Sequence, residues 1–262
     1  IETLTAAADM DSTITLGALA AAAGVATVTL TGEGAGDTDT LTVGAGYTSA
    51  LTVNLDDDAN AGNTVSAAAY TGVLTINADD DELDTTASTL TGGTGTSDVL
   101  AITVNGGTLQ AADLANVTAI ENFNTVADAG NVSITLNDAN VAAGATLNIN
   151  ATSMATSAAT IDASNELDGA VNITAGGTGA HIITLGAGAD TYTSTSTGID
   201  TVVATAGANT ISTGAGADDI TMGTGADAIT AGDGIDAITV ATANFTAADS
   251  IGGGDGVDVL TL

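Results

Sequence analysis

The chain of 262 residues has no Lys or Arg against 32 Asp and Glu, so that its formal net charge at pH 7 is −32. Nucleic acids and anionic lipid surfaces bind proteins through cationic side chains, and this composition excludes both as partners. Cys is absent, which excludes disulfides and thiolate metal sites, and no apolar run approaches the about 20 residues of a membrane-spanning helix.

Short β-strands are predicted from Ile1 to about Gly176. Apolar residues make up 44% of the chain, which favours order over acidic disorder. Segments such as VATVTLTG, DVLAITVNG and AVNITA alternate in the manner of strands and are separated by Gly, Asn and Asp turns. A short helix capped by Thr108 is predicted between them. We expect an all-β part that is either an irregular β-solenoid or a β-sandwich.

A loose duplication divides this part of the chain. IETL at residues 1–4 recurs as IENF at 120–123, and ITL at 14–16 recurs at 134–136, so that the period is close to 120 residues. The pattern predicts three segments: a β-rich repeat unit with degenerate turns at residues 1–119, a second, shorter β-rich copy at 120–176, and a more regular β-roll at 177–262.

Three acidic clusters lie in the first segment. They are Asp37 with Asp39, Asp56 to Asp58, and Asp79 to Asp84 including Glu82. Solvated loop tips and cation-binding sites are equal alternatives for each cluster, and no spacing among them matches an EF-hand loop.

Five nine-residue units then run without a break from Ser196 to Val240. Each unit has a Gly, an acid or amide two residues later, and a β-branched aliphatic residue two further on; the second positions are Asp200, Asn209, Asp218, Asp227 and Asp236. The pattern extends through residues 177–194 and returns at 254–262, which adds His181, Asp190 and Asp258. Each unit predicts a Gly-rich turn followed by a strand, with its oxygens outward and its aliphatic side chain inward. Two such units together form one parallel coil.

Successive turns of such a β-roll alternate between two edges. One edge carries His181, Asp200, Asp218 and Asp236, and the other carries Asp190, Asn209 and Asp227. Stacked coils lie about 4.8 Å apart, so two ionised carboxylates in one column repel by about 0.9 kcal/mol in water and about 3.5 kcal/mol at an effective dielectric of about 20. No cationic side chain offsets this repulsion.

Calcium suits these turns because it accepts six to eight hard oxygen ligands at flexible geometry. We expect Ca²⁺ to bind best in the two spaces between stacked turns that have an Asp on both sides, Asp200/Asp218 and Asp218/Asp236. His181 is expected to disfavour Ca²⁺. The alternative is that the acids only cap turns. The predicted ligands are Asp190, Asp200, Asn209, Asp218, Asp227, Asp236 and Asp258, with the turn residues Gly216, Gly225 and Gly234.

The units GAGADDITM, GTGADAITA and GDGIDAITV resemble the GGxGxDxUx calcium-binding repeat of RTX proteins. Together with GGTGTSDVL at residues 92–100 and the IENF element, the chain resembles the RTX-containing surface-layer (S-layer) proteins of Gram-negative bacteria. The resemblance implies a secreted protein, exported by a type I system, that forms a calcium-dependent lattice on the cell surface.

Catalytic groups are scarce. His181 is the sole imidazole, and no Cys, Lys or Arg can serve as nucleophile, Schiff base or oxyanion clamp. Paired carboxylates for glycoside hydrolysis remain an alternative, although two Phe, three Tyr and no Trp leave few platforms for sugar stacking. We expect that the protein is not an enzyme.

The function predicted from the sequence is a structural, self-assembling S-layer or extracellular filament subunit. Its expected partners are copies of itself, with a cell-surface polysaccharide as a second candidate. The first alternative is a calcium-binding RTX segment of a larger secreted adhesin, toxin or hydrolase. The second is an ice-binding solenoid, indicated by the column Ser212, Thr221, Thr230 and Thr239.

Overall fold

The chain winds into a parallel β-solenoid, seen here in a computed structural model that describes residues 2–6, 11–31, 38–56, 62–84, 88–104, 107–127 and 130–262. Of the residues discussed above, Ile1, Asp37, Asp57 and Asp58 lie outside these ranges, as do the side chains of Asp56 and Asp84. Among the described residues, no helix has the length and apolar character needed to cross a bilayer.

The elements of the first part of the chain are short strands with two five-residue helices. They are β1 (Thr3–Thr5), β2 (Thr13–Leu16), α1 (Ala18–Ala22), β3 (Thr27–Thr31), β4 (Thr40–Val43), β5 (Leu51–Asp56), β6 (Thr64–Ser66), β7 (Leu74–Asp79), α2 (Asp80–Asp84), β8 (Thr89–Thr91), β9 (Val99–Val104), β10 (Thr108–Leu109) and β11 (Val117–Thr118).

The second part continues with strands of three to seven residues and one 3-10 helix (Asp138–Asn140). The strands are β12 (Asn122–Ala127), β13 (Val132–Thr135), β14 (Thr146–Ala151), β15 (Ala159–Asp162), β16 (Ala170–Ala175), β17 (Ile182–Thr184), β18 (Thr191–Ser194), β19 (Thr201–Val203), β20 (Thr210–Ser212), β21 (Asp219–Met222), β22 (Ala228–Gly234), β23 (Ala237–Val240), β24 (Ser250–Gly256) and β25 (Val259–Thr261).

One main sheet runs through all three segments that were predicted from the sequence. In the described part of the chain it has twelve strands, in the order β1-β3-β5-β7-β9-β12-β14-β16-β18-β20-β22-β24. The other strands form a five-stranded sheet (β11-β8-β6-β4-β2) and an eight-stranded sheet (β10-β13-β15-β17-β19-β21-β23-β25). Every strand pairing in the described ranges is parallel, so the N-terminal part is solenoid and not β-sandwich.

The coils differ in length along the solenoid. Thr210 pairs with Ala228, and the interval between them is that of two nonapeptides, whereas the interval from Thr27 to its partner Thr52 is longer. The predicted coil of two nonapeptides is therefore confirmed for the regular repeats. The earlier coils are longer because loops such as the one carrying α1 are inserted between their strands.

The core is a set of apolar columns inside the solenoid. One column follows the main sheet by direct pairing through Leu4, Val28, Val53, Ile76, Leu100, Phe123, Ile149, Ile173, Tyr192, Ile211, Ile229 and Ile251. Its members between the two ends are buried. Full burial of one such aliphatic side chain contributes about 1.5–3 kcal/mol, so these columns supply the main favourable term in folding.

The predicted helix at Thr108 is wrong. Thr108 and Leu109 form β10, because Leu109 pairs with Ile134 at the start of the eight-stranded sheet. The backbone then turns and enters β11, which ends the five-stranded sheet. One coil thus carries strands of both smaller sheets and joins them.

The proposed threonine column of an ice-binding face is also wrong. Ser212 pairs with Thr230 in the main sheet, but Thr221 pairs with Thr239 in the eight-stranded sheet. Because alternate nonapeptides lie in different sheets, the four hydroxyls form two separate pairs.

Candidate metal centre

Each strand of the last coils is directly preceded by a polar side chain that reaches back to the coil before it. The backbone N–H of Asp200 donates to Oδ1 of Asp218 at 2.8 Å. In the same way Asp218 donates to Asp236 at 2.9 Å, and Asp236 donates to Asp258 at 3.1 Å. His181 begins this series with a 3.0 Å bond from its backbone N–H to Oδ1 of Asp200. We call these five residues the first ladder.

A second ladder follows the start of the main-sheet strands. It consists of Asp190, Asn209, Asp227 and Asp249, with bonds of 3.0 Å from Asp190 to Asn209, 3.0 Å from Asn209 to Asp227 and 2.9 Å from Asp227 to Asp249. The predicted alternation of turns between two edges is therefore confirmed.

Apart from Asp249 and Asp258 in the last coil, which are half-buried, the ladder side chains are buried and do not point outward, so this part of the sequence prediction is wrong. Asp200 is 0% exposed, and Asp218, Asp227 and Asp236 are each 1% exposed. The reason is the backbone N–H in front of each strand: a buried N–H without a partner is costly, and the carboxylate of the next coil satisfies it.

One oxygen of several ladder carboxylates has no hydrogen-bond partner. Among the described buried side chains, this holds for Oδ2 of Asp190, Asp218, Asp227 and Asp236. A buried carboxylate normally has its charge compensated by hydrogen bonds, a cationic group or a metal ion. The sequence contains no Lys or Arg that could pair with them.

The structure distinguishes the two gaps that the sequence ranked as equal. Oδ2 of Asp200 accepts a hydrogen bond from the Tyr192 hydroxyl at 2.8 Å. Oδ2 of Asp218 is unpartnered, and the nearby Thr213 hydroxyl donates instead to the Ala231 carbonyl at 2.7 Å. Asp218 and Asp236 therefore form a consecutive ladder pair with two free, buried oxygens.

On the second ladder an amide separates the free oxygens. Asn209 stands between Asp190 and Asp227, and its Nδ2 donates to the Ala206 carbonyl at 2.9 Å. The second ladder therefore lacks a pair of adjacent free carboxylates, in agreement with the weaker binding expected there.

Burial and like charge both act on these acids. Burial raises the pKa of Asp218, and the charges of Asp200 and Asp236 raise it further, although the Asp200 backbone N–H opposes the shift. Burial likewise raises the pKa of Asp190, with a smaller contribution from Glu166. The charged form of these carboxylates is thus disfavoured until a cation compensates it.

The turn glycines bring backbone carbonyls next to the first ladder. Gly216 and Gly234 have φ values of +147° and +151°, which side chains rarely adopt. A Cβ on Gly234 would lie 1.5 Å from the Gly216 carbonyl oxygen and 3.2 Å from Oδ1 of Asp236. Gly225 repeats the arrangement near the second ladder, at 1.8 Å from the Gly207 carbonyl oxygen with φ +130°.

Carboxylate and carbonyl oxygens thus converge where a side chain is excluded, and the donor set consists of hard oxygen atoms. This set fits Ca²⁺, which would be held by Asp218 and Asp236 with the carbonyls of the stacked turn glycines. Bound there, calcium would supply the positive charge that the buried acids lack.

His181, the first residue of the first ladder, does not resemble a calcium ligand. Its Nδ1 accepts from the Ala159 backbone N–H at 3.1 Å, and its Nε2 lies 3.1 Å from the Gly176 carbonyl oxygen. The hydrogen-bond network therefore assigns the ring proton to Nε2, which donates to that carbonyl. Both nitrogens are engaged, in line with the expectation that His181 disfavours calcium.

Sequence reasoning missed Asp249, which caps Asp227 from 22 residues away. The loop before β24 is longer than a nonapeptide turn, so the fixed spacing failed there. The signal that finds Asp249 is its position immediately before a strand.

Acidic residues that stand immediately before a strand also accept backbone N–H groups of the preceding coil in the N-terminal part of the solenoid. Oδ1 of Asp98 accepts from the Leu74 backbone N–H at 2.9 Å, and the Asp98 N–H donates to Oε2 of Glu121 at 2.9 Å. Asp39 and Glu82, for which solvated tips were one alternative, are buried at 1% and 0% exposure. The solvated alternative is therefore wrong for these two side chains.

A comparison with known protein families recognises the same nonapeptide repeats. Residues 194–229 match the model of the RTX calcium-binding nonapeptide repeat with four copies. No curated protein and no solved structure matches the chain. The segment carries RTX repeats in a parallel β-roll, and RTX nonapeptide repeats bind calcium.

Proposed function

We propose that the protein is a calcium-dependent structural subunit that assembles outside a bacterial cell into an S-layer or filament, after export by a type I system. The main support is the first ladder, where Asp218 and Asp236 present two buried, unpartnered oxygens in consecutive coils. Such an array uses calcium to hold a fold together, and its buried oxygens offer no surface to a substrate. A structural role is therefore favoured over a catalytic one. RTX repeats occur in secreted bacterial proteins, which supports an extracellular location.

Assembly must overcome the charge of the subunit. Copies with a formal net charge of −32 repel one another, and divalent cations between them would reduce this repulsion. With two Phe, three Tyr and no Trp, an aromatic hot spot is excluded from the contact. Metal-bridged acids and β-edges remain as the means of association.

The last coil offers one candidate contact. Its side chains Val257, Val259 and Leu260 are 75%, 54% and 46% exposed, beside the open edges of β24 and β25. An exposed apolar strand edge pairs readily with another strand, so end-to-end stacking of solenoids would bury it. A cell-surface polysaccharide is the second proposed partner, which would anchor the assembly.

Electron microscopy and light scattering of the purified chain test this proposal. We expect sheets or filaments after addition of calcium and their dissolution by chelator, whereas magnesium at equal ionic strength should not replace calcium. Leu260→Asp should weaken assembly without changing calcium-dependent folding, and Val73→Asp, at an equally exposed position (46%) just before the inner strand β7, serves as its control. A chain that folds with calcium and stays monomeric at every concentration contradicts the proposal.

The monomeric outcome would favour the alternative function, a calcium-binding segment of a larger secreted adhesin, toxin or hydrolase. The observation that supports this alternative is the restriction of the family match to residues 194–229.

A further inference from the structure

We propose a second kind of calcium site, outside the nonapeptides, formed by Asp138, Glu166 and Asp168. One carboxylate oxygen from each residue lies within 4.8 Å of the others. All three residues precede the segment that matches the RTX repeat, and their spacing is not that of a nonapeptide. The proposal concerns cation binding alone and does not depend on assembly of the protein.

The site joins two successive coils. Asp138 begins the 3-10 helix after β13, and Glu166 and Asp168 lie in the turn between β15 and β16. The Leu167 backbone N–H donates to Oδ1 of Asp138 at 3.1 Å, and the Gly144 N–H donates to the Asp168 carbonyl at 3.0 Å. These bonds fix the two loops against each other, so the three carboxylates are brought together by the fold.

Glu166 supplies an independent indication of a ligand. The residue is 0% exposed, and its Oε1 accepts from the backbone N–H groups of Asp168 and Gly169 at 3.0 and 2.6 Å. Its Oε2 is buried and has no hydrogen-bond partner in the described part of the chain. A bound cation would stabilise a buried carboxylate that has one unsatisfied oxygen and belongs to a cluster with two other acids, and the sequence contains no Lys or Arg that could supply the charge.

The donor chemistry points to calcium among the common metal ions. The three side chains offer only oxygen, and no Cys or His belongs to the cluster, which disfavours zinc and softer metals. Asp138 and Asp168 are exposed, so water can reach the ion and complete the six to eight ligands that calcium takes.

The position gives this site a role at the start of the second ladder. The Val171 backbone N–H donates to Oδ1 of Asp190 at 2.8 Å, so an apolar residue occupies the ladder position in the coil of Glu166. Glu166 instead brings its charge close enough to act on Asp190. A cation at the cluster would offset the negative charge at the start of the second ladder, where the longer N-terminal coils are followed by the coils of two nonapeptides.

Calcium stoichiometry of the full chain, measured by equilibrium dialysis, tests the site. The triple variant Asp138→Asn, Glu166→Gln, Asp168→Asn should bind one Ca²⁺ per chain fewer than the unmodified protein. Asp162→Asn, which changes a half-buried carboxylate of the same coil outside the cluster, should lose none. Asp236→Asn should lose calcium independently, so that the losses add when the variants are combined. Unchanged stoichiometry in the triple variant would overturn the proposal.

Glu166→Gln alone covers the case in which the triple variant does not fold. It removes the buried charge and keeps an acceptor for the Asp168 and Gly169 amides. Its melting temperature in chelator should rise, and the further increase on adding calcium should be smaller than in the unmodified protein. If the melting temperatures of Glu166→Gln and the unmodified protein differ by the same amount in chelator and in calcium, Glu166 has only a structural role and the site is refuted.

Discussion

We propose that a ladder aspartate has two separable tasks, one for each carboxylate oxygen. Oδ1 of Asp218 accepts the Asp200 backbone N–H, whereas its Oδ2 is free for a metal ion. Asn209 shows that an amide can perform the first task, because its Oδ1 accepts the Asp190 backbone N–H at 3.0 Å. Replacement by Asn should therefore remove calcium binding and keep the cap, while replacement by Ala should remove both.

Asp218→Asn should raise the calcium concentration at the folding midpoint without lowering stability in chelator. Asp218→Ala should show the same loss of calcium response and, in chelator, lose a further about 1–3 kcal/mol of unfolding free energy, because the Asp200 N–H is left buried and unpaired. Circular dichroism during calcium and urea titrations measures both quantities.

Asp219→Asn is the matched control, since Asp219 is exposed directly beside Asp218. It should leave the calcium midpoint unchanged. Asp190→Ala should have a smaller effect than Asp218→Ala, because the next ladder residue after Asp190 is Asn209. Equal calcium midpoints for the Asp218 and Asp219 variants would refute the assignment of ligands.

At the scale of the element, the turn is determined by the close approach of one backbone to the next. Coils of two nonapeptides stack their turns so directly that the Gly216 carbonyl occupies the space of a Gly234 side chain. The same approach places carbonyl oxygens near the carboxylates. Turn packing and the proposed metal binding would therefore rest on the same glycines.

Gly234→Ala should unfold the last coils. The backbone conformation at φ +151° costs about 1–3 kcal/mol for a residue with a side chain, and the contact with the Gly216 carbonyl adds to this. Gly17→Ala is the control, because its φ is −139° and no atom of the described residues lies within 4 Å of its Cβ position. Thermal unfolding in calcium compares the two variants, and similar melting temperatures would contradict the packing described for the turn.

Regular elements could be predicted because their spacing is constant. The nonapeptides place every strand and every ladder residue from Asp200 to Asp236 at fixed intervals, so the β-roll and its two edges were visible in the sequence. The longer coils were not visible, because the interval between paired residues changes from coil to coil. Thr52 pairs with Thr75, for example, and Asn122 pairs with Asn148 across a longer stretch of chain.

The period of about 120 residues seen in the sequence is the summed length of five such unequal coils. Five successive pairings lead from Leu4 to Phe123, so the recurrence of IETL as IENF marks the sixth position in one apolar column. The Asp138, Glu166 and Asp168 cluster escaped prediction for a related reason. Its members approach one another only when two irregular loops stack, and no fixed spacing records that contact.

At the scale of the whole molecule, the protein is an anion whose buried acids lack cationic side chains. Without metal, the raised pKa values of Asp190 and Asp218 mean that the native state binds protons more tightly than the unfolded state. Stability is then lower at neutral pH and rises as the pH falls through the folded-state pKa values. With calcium bound, acid protonates the ligands and releases the metal, so the dependence has the opposite sign.

The urea midpoints of unfolding in chelator and in calcium should therefore approach each other as the pH falls from neutral to mildly acidic values. In chelator the midpoint should increase on acidification, and in calcium it should decrease. Asp218→Asn should flatten the curve in chelator, because it removes one of the titrating groups. Parallel curves in the two solutions would show that buried carboxylates do not govern stability.

The ladders have a direction, which affects how the molecule is built. In every rung of the two ladders the N–H belongs to the earlier coil and the accepting side chain to the later one. An earlier coil is therefore incomplete until its successor has formed. If the chain emerges into a calcium-rich medium with its carboxyl end first, the acceptor for each backbone N–H is already folded when that N–H arrives. The coils would then form one after another from the carboxyl end to the amino end.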